Sequence, residues 1–525
     1  MINLLSKLKL LAFQILALFF FILWALSLFV HSWAVPFPKF SPQNPLLLTG
    51  LAFLFLLFLM MINKVSIGLS GTAEKKLVVP TLILYFCLQT LFIILVPVNA
   101  YEDAAIINSI ARQFLQGNFT SLGIGNYLGY YPNNIGITVF IALIYSFLPK
   151  SYITLRIINA VFNTVSAWII YQIYKELYPE REDKAYGMLF LAVTFIPPVI
   201  LNNFTYGDII SNTFCLAAVL NALKFIQKSK GKYAVYTALF LMIGNFMRCV
   251  TLLFLAAIII YWLINFENKL IPYIKKVFYG FLSIALFNLP LKLFSFAGTR
   301  AGIIDEPVGV HSNPIWRWIN MGVPGKSLGY WDGGRNIAIF VNRFKCNKHD
   351  ASIFFINDII SKFRNAGPLN IFKAYLKKIF WLWTEGTYSV NFYGLSQALN
   401  PDRFALYSTP LVKYFEPWDK ATRLSIDWLL HSFNWLALGL VSLYLFDAVS
   451  KKDFRMELFV YVIYLYIGFY MIWEIKSRYI FGVYPIFLIM CYYCSEKIFN
   501  LFISRAQTET LTETNQQILN KIPKA

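Results

Sequence analysis

Charge is scarce in this chain, and negative charge scarcest. Only 26 Asp and Glu stand against 46 Lys and Arg in 525 residues, and charged residues make up 14% of the whole. Soluble domains carry roughly a quarter charged residues, so an ordinary water-soluble globule is excluded. Also missing is the period-two alternation over about ten residues that marks a transmembrane barrel strand. What fills the chain instead is apolar: 58% hydrophobic, 18% aromatic, with a mean hydropathy of +0.59. Stretches such as LLAFQILALFFFILWALSLFV are apolar on every face. Repeated runs near the ~20 residues needed to cross a bilayer define an all-α polytopic integral membrane protein.

Six cysteines are too few and too poorly placed for a disulfide framework. Cys87, Cys215, Cys249, Cys491 and Cys494 fall in or beside apolar runs, where cysteine is usually a small buried hydrophobe. Cys346 alone lies in a polar loop, which leaves it no partner for an external bridge. The Cys491-Tyr-Tyr-Cys494 spacing sits inside a predicted span and reads as coincidence. No HExxH, P-loop or dinucleotide fingerprint stands in a plausible context, and no repeat of fixed period is evident. The formal charge of +20 raises nucleic acid as a partner, but its distribution argues otherwise. The basic residues cluster between apolar runs: Lys7/Lys9, Lys64 with Lys75/Lys76, Lys228/Lys230/Lys232, Lys275/Lys276, and Lys451/Lys452 with Arg455. That is the positive-inside pattern, which also draws anionic membrane lipids; no nucleic acid is expected.

Apolar runs predict about 12 transmembrane helices, at 10–30, 46–62, 78–97, 153–174, 185–201, 208–226, 233–247, 250–266, 277–296, 426–447, 457–474 and 479–494. The first lacks a small-residue cleavage site and reads as a retained anchor. With the basic clusters in the cytoplasm, both termini lie inside. The first external loop, 98–134, and the large external loop, 297–425, then lie outside. The run 135–148 has 14 residues, short for a crossing, and counting it as one would invert everything after it. A short or re-entrant helix is the expectation there. Runs 233–247 and 250–266 flank Arg248 and predict a tight hairpin with that arginine at its outer apex. Segments 351–364 and 367–383 have helical apolar spacing with lysines opposite, the pattern of helices lying in the membrane interface. Residues 1–504 thus read as a single transmembrane domain, and 505–525 as a polar, disordered cytoplasmic tail.

Against this background the few charges at the outer mouth stand out, since ionisable groups at membrane depth are costly without a task. Glu102 and Asp103 open a polar segment at the end of an apolar helix. A carboxylate shielded from bulk water suits a general base for an acceptor hydroxyl, and an adjacent pair also offers oxygen ligands to a hard cation. Asp208 follows Tyr206-Gly207 at the outer start of another apolar helix. Helix capping is the plainer reading of all three acids; against it, they share one face of the membrane. Arg248 and Arg478 are guanidinium groups at membrane depth, for which recognition of an anion such as a phosphodiester is one reason and snorkelling the other. Lys476 and Glu474 share the Arg478 turn, as a site or as a structural pair. In the large external loop, Trp316-Arg317-Trp318 and Tyr330-Trp331-Asp332 combine aromatics with polar groups, which suits sugar rings or interfacial anchoring alike. His311 is a lone candidate metal ligand.

The order of these features resembles the GT-C superfamily of membrane glycosyltransferases, in the branch holding the protein O-mannosyltransferases and the lipid A aminoarabinose transferases. Glu102-Asp103, the helix over 104–115, Gly117 and Tyr131-Pro132-Asn133-Asn134 follow that branch's order of acidic motif, juxtamembrane helix, glycine and proline-containing motif. Leu155-Arg156 opens a span as its arginine-bearing helix does, and Tyr206-Gly207-Asp208 matches its later external acid. The resemblance covers about 78–300; the later loop and Arg478-Tyr479 fit loosely, and the first two spans precede it. It implies a GT-C type fold and inverting transfer of one sugar from a polyprenyl-phosphate donor to an acceptor outside the cytoplasm. On that basis Asp103, or Glu102 beside it, is the catalytic base, with Asp103 favoured. Asp208 orients the acceptor or assists a metal, and Arg248, Arg478 and Lys476 hold the carrier phosphate. Tyr131, Pro132, Asn133, Asn134 and Tyr479 line the substrate.

The chain departs from the family in carrying Tyr131-Pro132-Asn133 where the mannosyltransferases have His-Pro-Pro, which leaves the acceptor open among lipid, protein and wall polymer. It also lacks their soluble external domain. His311 is the one nearby counterpart of the metal-site histidine of the lipid A enzymes, so a divalent metal is a candidate and no cofactor is certain. A lipid-linked sugar flippase is the competing class; it predicts charges at mid-bilayer and repeated halves. A glycan polymerase or ligase is a third. The Lys- and Phe-rich, cysteine-poor composition points to a bacterial inner membrane.

Overall fold

The computed structural model describes residues 2–500 apart from 35–37, 69–71, 266–269, 326, 396–403 and 417–420. The 505–525 tail lies outside the described residues. Nearly everything else is helix; among the described residues the one sheet is an antiparallel pair, Val30–Trp33 with Lys39–Pro42. Among the described residues, eight helices are long and apolar enough to cross a membrane, including Leu4–Ser27, Tyr152–Leu177, Asp208–Lys228 and Thr422–Lys451. Three more apolar helices, Pro132–Phe147, Thr251–Ile264 and Glu457–Ile472, are shorter.

The count by apolar runs is higher mainly because three runs form short helices, Gly231–Met247, Thr251–Ile264 and Glu457–Ile472, and because another run is broken. The 185–201 run divides into Ala185–Thr194 and Ile196–Leu201, where extended Phe195 and the prolines after it interrupt the hydrogen-bond ladder. The 277–296 run divides at Asn288, between Leu270–Phe287 and Leu289–Arg300. The 135–148 run forms a helix over Ile135–Phe147. At ~1.5 Å per residue its 13 residues reach about 20 Å, against a hydrocarbon core of about 30 Å.

Helices Asp208–Lys228 and Gly231–Met247 pack as a hairpin, with Tyr152–Leu177 against the first and Leu270–Phe287 against the second. The N-terminal helix lies along Ala421–Lys451, and Thr251–Ile264 along Glu457–Ile472. Polar side chains join helices inside the apolar body. Asn163 donates to Tyr85 and Gln89, and Asn202 donates to the same Gln89 oxygen at 2.7 Å. Such bonds satisfy amides that have no water to turn to.

Two glycines bring the outer ends together. A Cβ at Gly136 would stand 1.7 Å from the Phe246 carbonyl oxygen, so the short helix can press on Gly231–Met247 only with hydrogen there. Gly207 has φ +90°, and a Cβ there would meet the Met247 carbonyl at 3.2 Å. Both contacts fall just before Arg248, and Gly207 turns the chain into Asp208.

Candidate active site

The helix Glu102–Phe114 buries Ala104, Ile107, Ile110 and Ala111 at helical spacing, and packs on Ile135–Phe147. Its first turn carries both acids and its last carries Arg112, each sign at the favourable end of the helix dipole. Glu102 itself has φ +48°, a left-handed conformation that costs a β-carbon residue roughly 1–3 kcal/mol. The approach to this turn is held from behind: buried Arg156 donates to the Val98 carbonyl, and Asn203 to that of Val96.

A cavity of about 400 Å³ opens beside this turn. Asp103, Tyr131, Asn133, Asn134, Asp208, Arg248, Lys476, Arg478 and Tyr479 all line it. Residues far apart in sequence, from 103 to 479, therefore converge. Glu102 and Pro132 are not among the lining residues, and neither is His311. His311 lies in a neighbouring groove with Asp305 and Glu306, its Nε2 2.9 Å from a Glu306 oxygen. Among the described residues no group of three or more His, Cys, Asp or Glu side chains is placed to hold a metal ion. The donor set thus does not fit a metal centre.

Asp103 is oriented by a short relay. The Tyr127 hydroxyl donates to its Oδ1 at 2.8 Å, and the Asn134 amide donates to that hydroxyl oxygen at 2.9 Å. Burial pushes the Tyr127 phenol well above its ordinary pKa, so it stays a donor. Tyr206 is likewise pushed up to about 12 by burial, with Asp103 adding to the effect and Arg248 and Arg478 opposing it.

Opposite stands a cationic group. Asp208 lies between two arginines, 3.4 Å from Arg478 Nη1 and 3.9 Å from Arg248 Nε. Burial works against the charge on Arg248, and Asp208 and Tyr206 together outweigh it. The Arg248 guanidinium covers the Tyr206 ring at 4.2 Å, and Arg478 covers Tyr393 at 4.3 Å. Lys476 lies over Trp331 at 4.8 Å and over Tyr393 at 5.8 Å. Arg478 Nε is buried without a hydrogen-bond partner. Both contacts to Asp208 exceed the 2.7–2.9 Å of a tight charge-assisted bond, so the arginines are gathered without being saturated. Arg248, Arg478 and Lys476 outnumber Asp208 and Glu474 on this wall, which is left net positive.

Below the charges the lining turns apolar, with Val250, Leu252, Leu253, Phe254 and Phe481. Tyr206, Trp318, Trp331 and Glu474, which the sequence also marks, face in as well, together with Tyr470 and Trp473, which it does not. Tyr127 carries no sequence signal at all; its role depends on a turn that brings it back onto the first helical turn.

Residues 134–291 match the model of the family described as dolichyl-phosphate-mannose-protein mannosyltransferase. The matched segment contains Asn134, Tyr206, Asp208 and Arg248 of the cavity, and stops short of the 474–479 turn. No curated protein and no solved structure matches the chain. A multi-pass helical membrane protein with this match is similar to the GT-C membrane glycosyltransferases, the dolichyl-phosphate-mannose-protein mannosyltransferases among them.

Proposed function

We propose that this protein transfers one sugar, with inversion, from a polyprenyl-phosphate carrier to an acceptor hydroxyl on the extracytoplasmic face of the membrane. In this reading both termini are cytoplasmic, the Ile135–Phe147 helix is re-entrant, and the membrane is a bacterial inner membrane. The acceptor is a lipid, a protein or a wall polymer.

The observation that carries the reading is one cavity joining a carboxylate, an unsaturated cationic wall and an apolar floor. Asp103 is the base. Tyr127 occupies Oδ1, and Oδ2 is left for the acceptor. As the acceptor oxygen bonds to the sugar's anomeric carbon, its proton passes to Asp103. The bond from that carbon to the phosphate oxygen breaks on the opposite face, so one displacement inverts the centre. The leaving group gains negative charge, from one on the phosphodiester towards two on the free phosphate monoester. The net positive charge of Arg248, Arg478 and Lys476 over Asp208 and Glu474 therefore holds the product-like state more tightly than the substrate. Interactions that strengthen on the way to the transition state are the ones that accelerate a reaction. Asp208 keeps the two arginines together while the site is empty and orients the acceptor when it is filled. The apolar floor suits the first isoprene units of the carrier.

The test uses purified protein in detergent with a panel of radiolabelled polyprenyl-phosphate sugars. Wild type is expected to transfer or release label, and Asp103→Asn to lose about 10²–10⁴-fold in rate. Glu102→Gln is expected to retain most activity. Loss with Glu102→Gln alone would move the base by one residue. No turnover of any carrier by folded protein would remove the proposal.

A further inference from the structure

Resting on that reading of the carrier phosphate, we infer that Glu474, with the stacked indoles of Trp318 and Trp473, forms the subsite that binds the transferred sugar ring.

Glu474 begins the turn that follows the Glu457–Ile472 helix, and it lines the cavity two residues before Lys476. It is 2% exposed. Its Oε1 accepts from the Tyr479 hydroxyl at 2.6 Å, while Oε2 is buried and has no hydrogen-bond partner. A buried polar atom left unsatisfied is costly, and a bound group can recover that cost. Burial raises the pKa of this carboxyl, with Lys476 the largest opposing influence and Arg317 another. Ionised, Oε2 needs a donor; protonated, it needs an acceptor. A sugar hydroxyl supplies either, and a bare phosphate or an isoprene chain supplies no donor.

The aromatic half of the subsite is equally specific. Trp318 and Trp473 both line the cavity, their rings stacked 5.9 Å apart at 13°. Trp473 is also stacked on Phe469 at 5.0 Å, so it backs Trp318, whose indole suits the C–H face of a pyranose while the polar rim beside it suits the hydroxyls. Trp316, two residues before Trp318, is 39% exposed and points elsewhere. The helix Ile315–Gly322 therefore turns one tryptophan inward while the other remains available to the interface. Lys378 holds the subsite from below, donating to the Gly322 and Trp473 carbonyls.

The experiment compares binding of two probes, a short-chain polyprenyl phosphate and its mannosyl derivative, with other sugar derivatives if mannose is not the one preferred. Wild type should prefer the sugar-bearing carrier. Glu474→Ala should weaken the sugar-bearing probe by about 10–100-fold. It should not weaken the bare probe, which has no sugar hydroxyl to meet Oε2. Trp318→Leu should show the same selective loss and keeps the test open should Glu474→Ala fail to fold. Arg478→Gln should weaken both probes. A parallel loss of both probes in the Glu474 and Trp318 variants, or no loss in either, would overturn the sugar subsite while leaving the carrier site standing. If the bare probe ignores Arg478→Gln, the carrier reading itself falls, and the subsite with it.

Discussion

At the scale of single residues the account turns on how a carboxylate at a membrane surface becomes a directed base. Asp103 is legible in the sequence, as are Asp208, Arg248 and Arg478, because charges bordering apolar runs are costly and therefore conspicuous. Which of Glu102 and Asp103 faces the cavity is not legible. Neighbours on a helix point about 100° apart, and only the packed direction of Glu102–Phe114 selects between them. Tyr127 is one of 32 tyrosines, and nothing in its local sequence marks it as the donor to Asp103. Its hydroxyl is expected to matter for the chemical step alone. Tyr127→Phe should lower kcat by about tenfold, the worth of one hydrogen bond to a charged group, with KM for the carrier unchanged. Steady-state kinetics check this; an equal change in KM, or none in kcat, would show that the relay does not orient the base.

At the scale of elements, lysine on an amphipathic helix reads as a solvent or headgroup contact, and for the Pro368–Thr384 helix that holds at Lys373 and Lys377. Lys378 differs. It is fully buried, and its ammonium donates to the carbonyls of Gly322 at 2.5 Å, Met471 at 3.0 Å and Trp473 at 2.6 Å. Those groups end two helices, Ile315–Gly322 and Glu457–Ile472, whose last carbonyls lack partners of their own. Lys378→Met would strand one buried and two part-buried acceptors, the buried one at roughly 1–3 kcal/mol, so thermal unfolding in detergent should show a loss of about 2 kcal/mol. An unchanged midpoint would contradict that clamp. Helical periodicity shows such a lysine as one step off the polar face, and its partners become visible only with the tertiary fold.

Glu385, just after the same helix, gives a pH signature. It is buried, accepts from the Thr387 hydroxyl and backbone N–H, and burial pushes its pKa up to about 7 against those bonds. The unfolded value is near 4.5. A raised carboxyl pKa means the folded state binds more protons between about 4.5 and 7. Stability contributed by this group is therefore present at low pH and falls as pH rises through that window. The shift corresponds to about 3 kcal/mol. Glu385→Gln should accordingly be more stable than wild type at pH 8, with the gap closing towards pH 5. Buried His31, lowered to about 4 by desolvation, acts in the opposite sense below pH 6.5, so the difference between variant and wild type is the quantity to measure. A gap that does not change with pH would refute the assignment.

At the scale of the whole molecule, hydropathy and charge placement are sufficient for the class, since no other architecture hides this much apolar surface. They are insufficient for the crossing count. Runs such as 185–201 stay apolar across a break at Phe195 that composition does not register. The cavity draws on both parts of the chain: the segment matching the mannosyltransferase family supplies Asp208 and Arg248, and the 474–479 turn beyond it supplies Glu474, Lys476 and Arg478. The tertiary fold alone reveals that Trp318 and Trp331 face the same space.

The most direct measurement is an experimental structure of the wild-type protein with a non-hydrolysable polyprenyl-phosphate sugar bound. The account predicts the phosphate between Arg248 and Arg478, the isoprene chain against Leu253 and Phe254, and the anomeric carbon between the phosphate and Asp103. A phosphate seated away from both arginines, or an anomeric carbon turned away from Asp103, would contradict it.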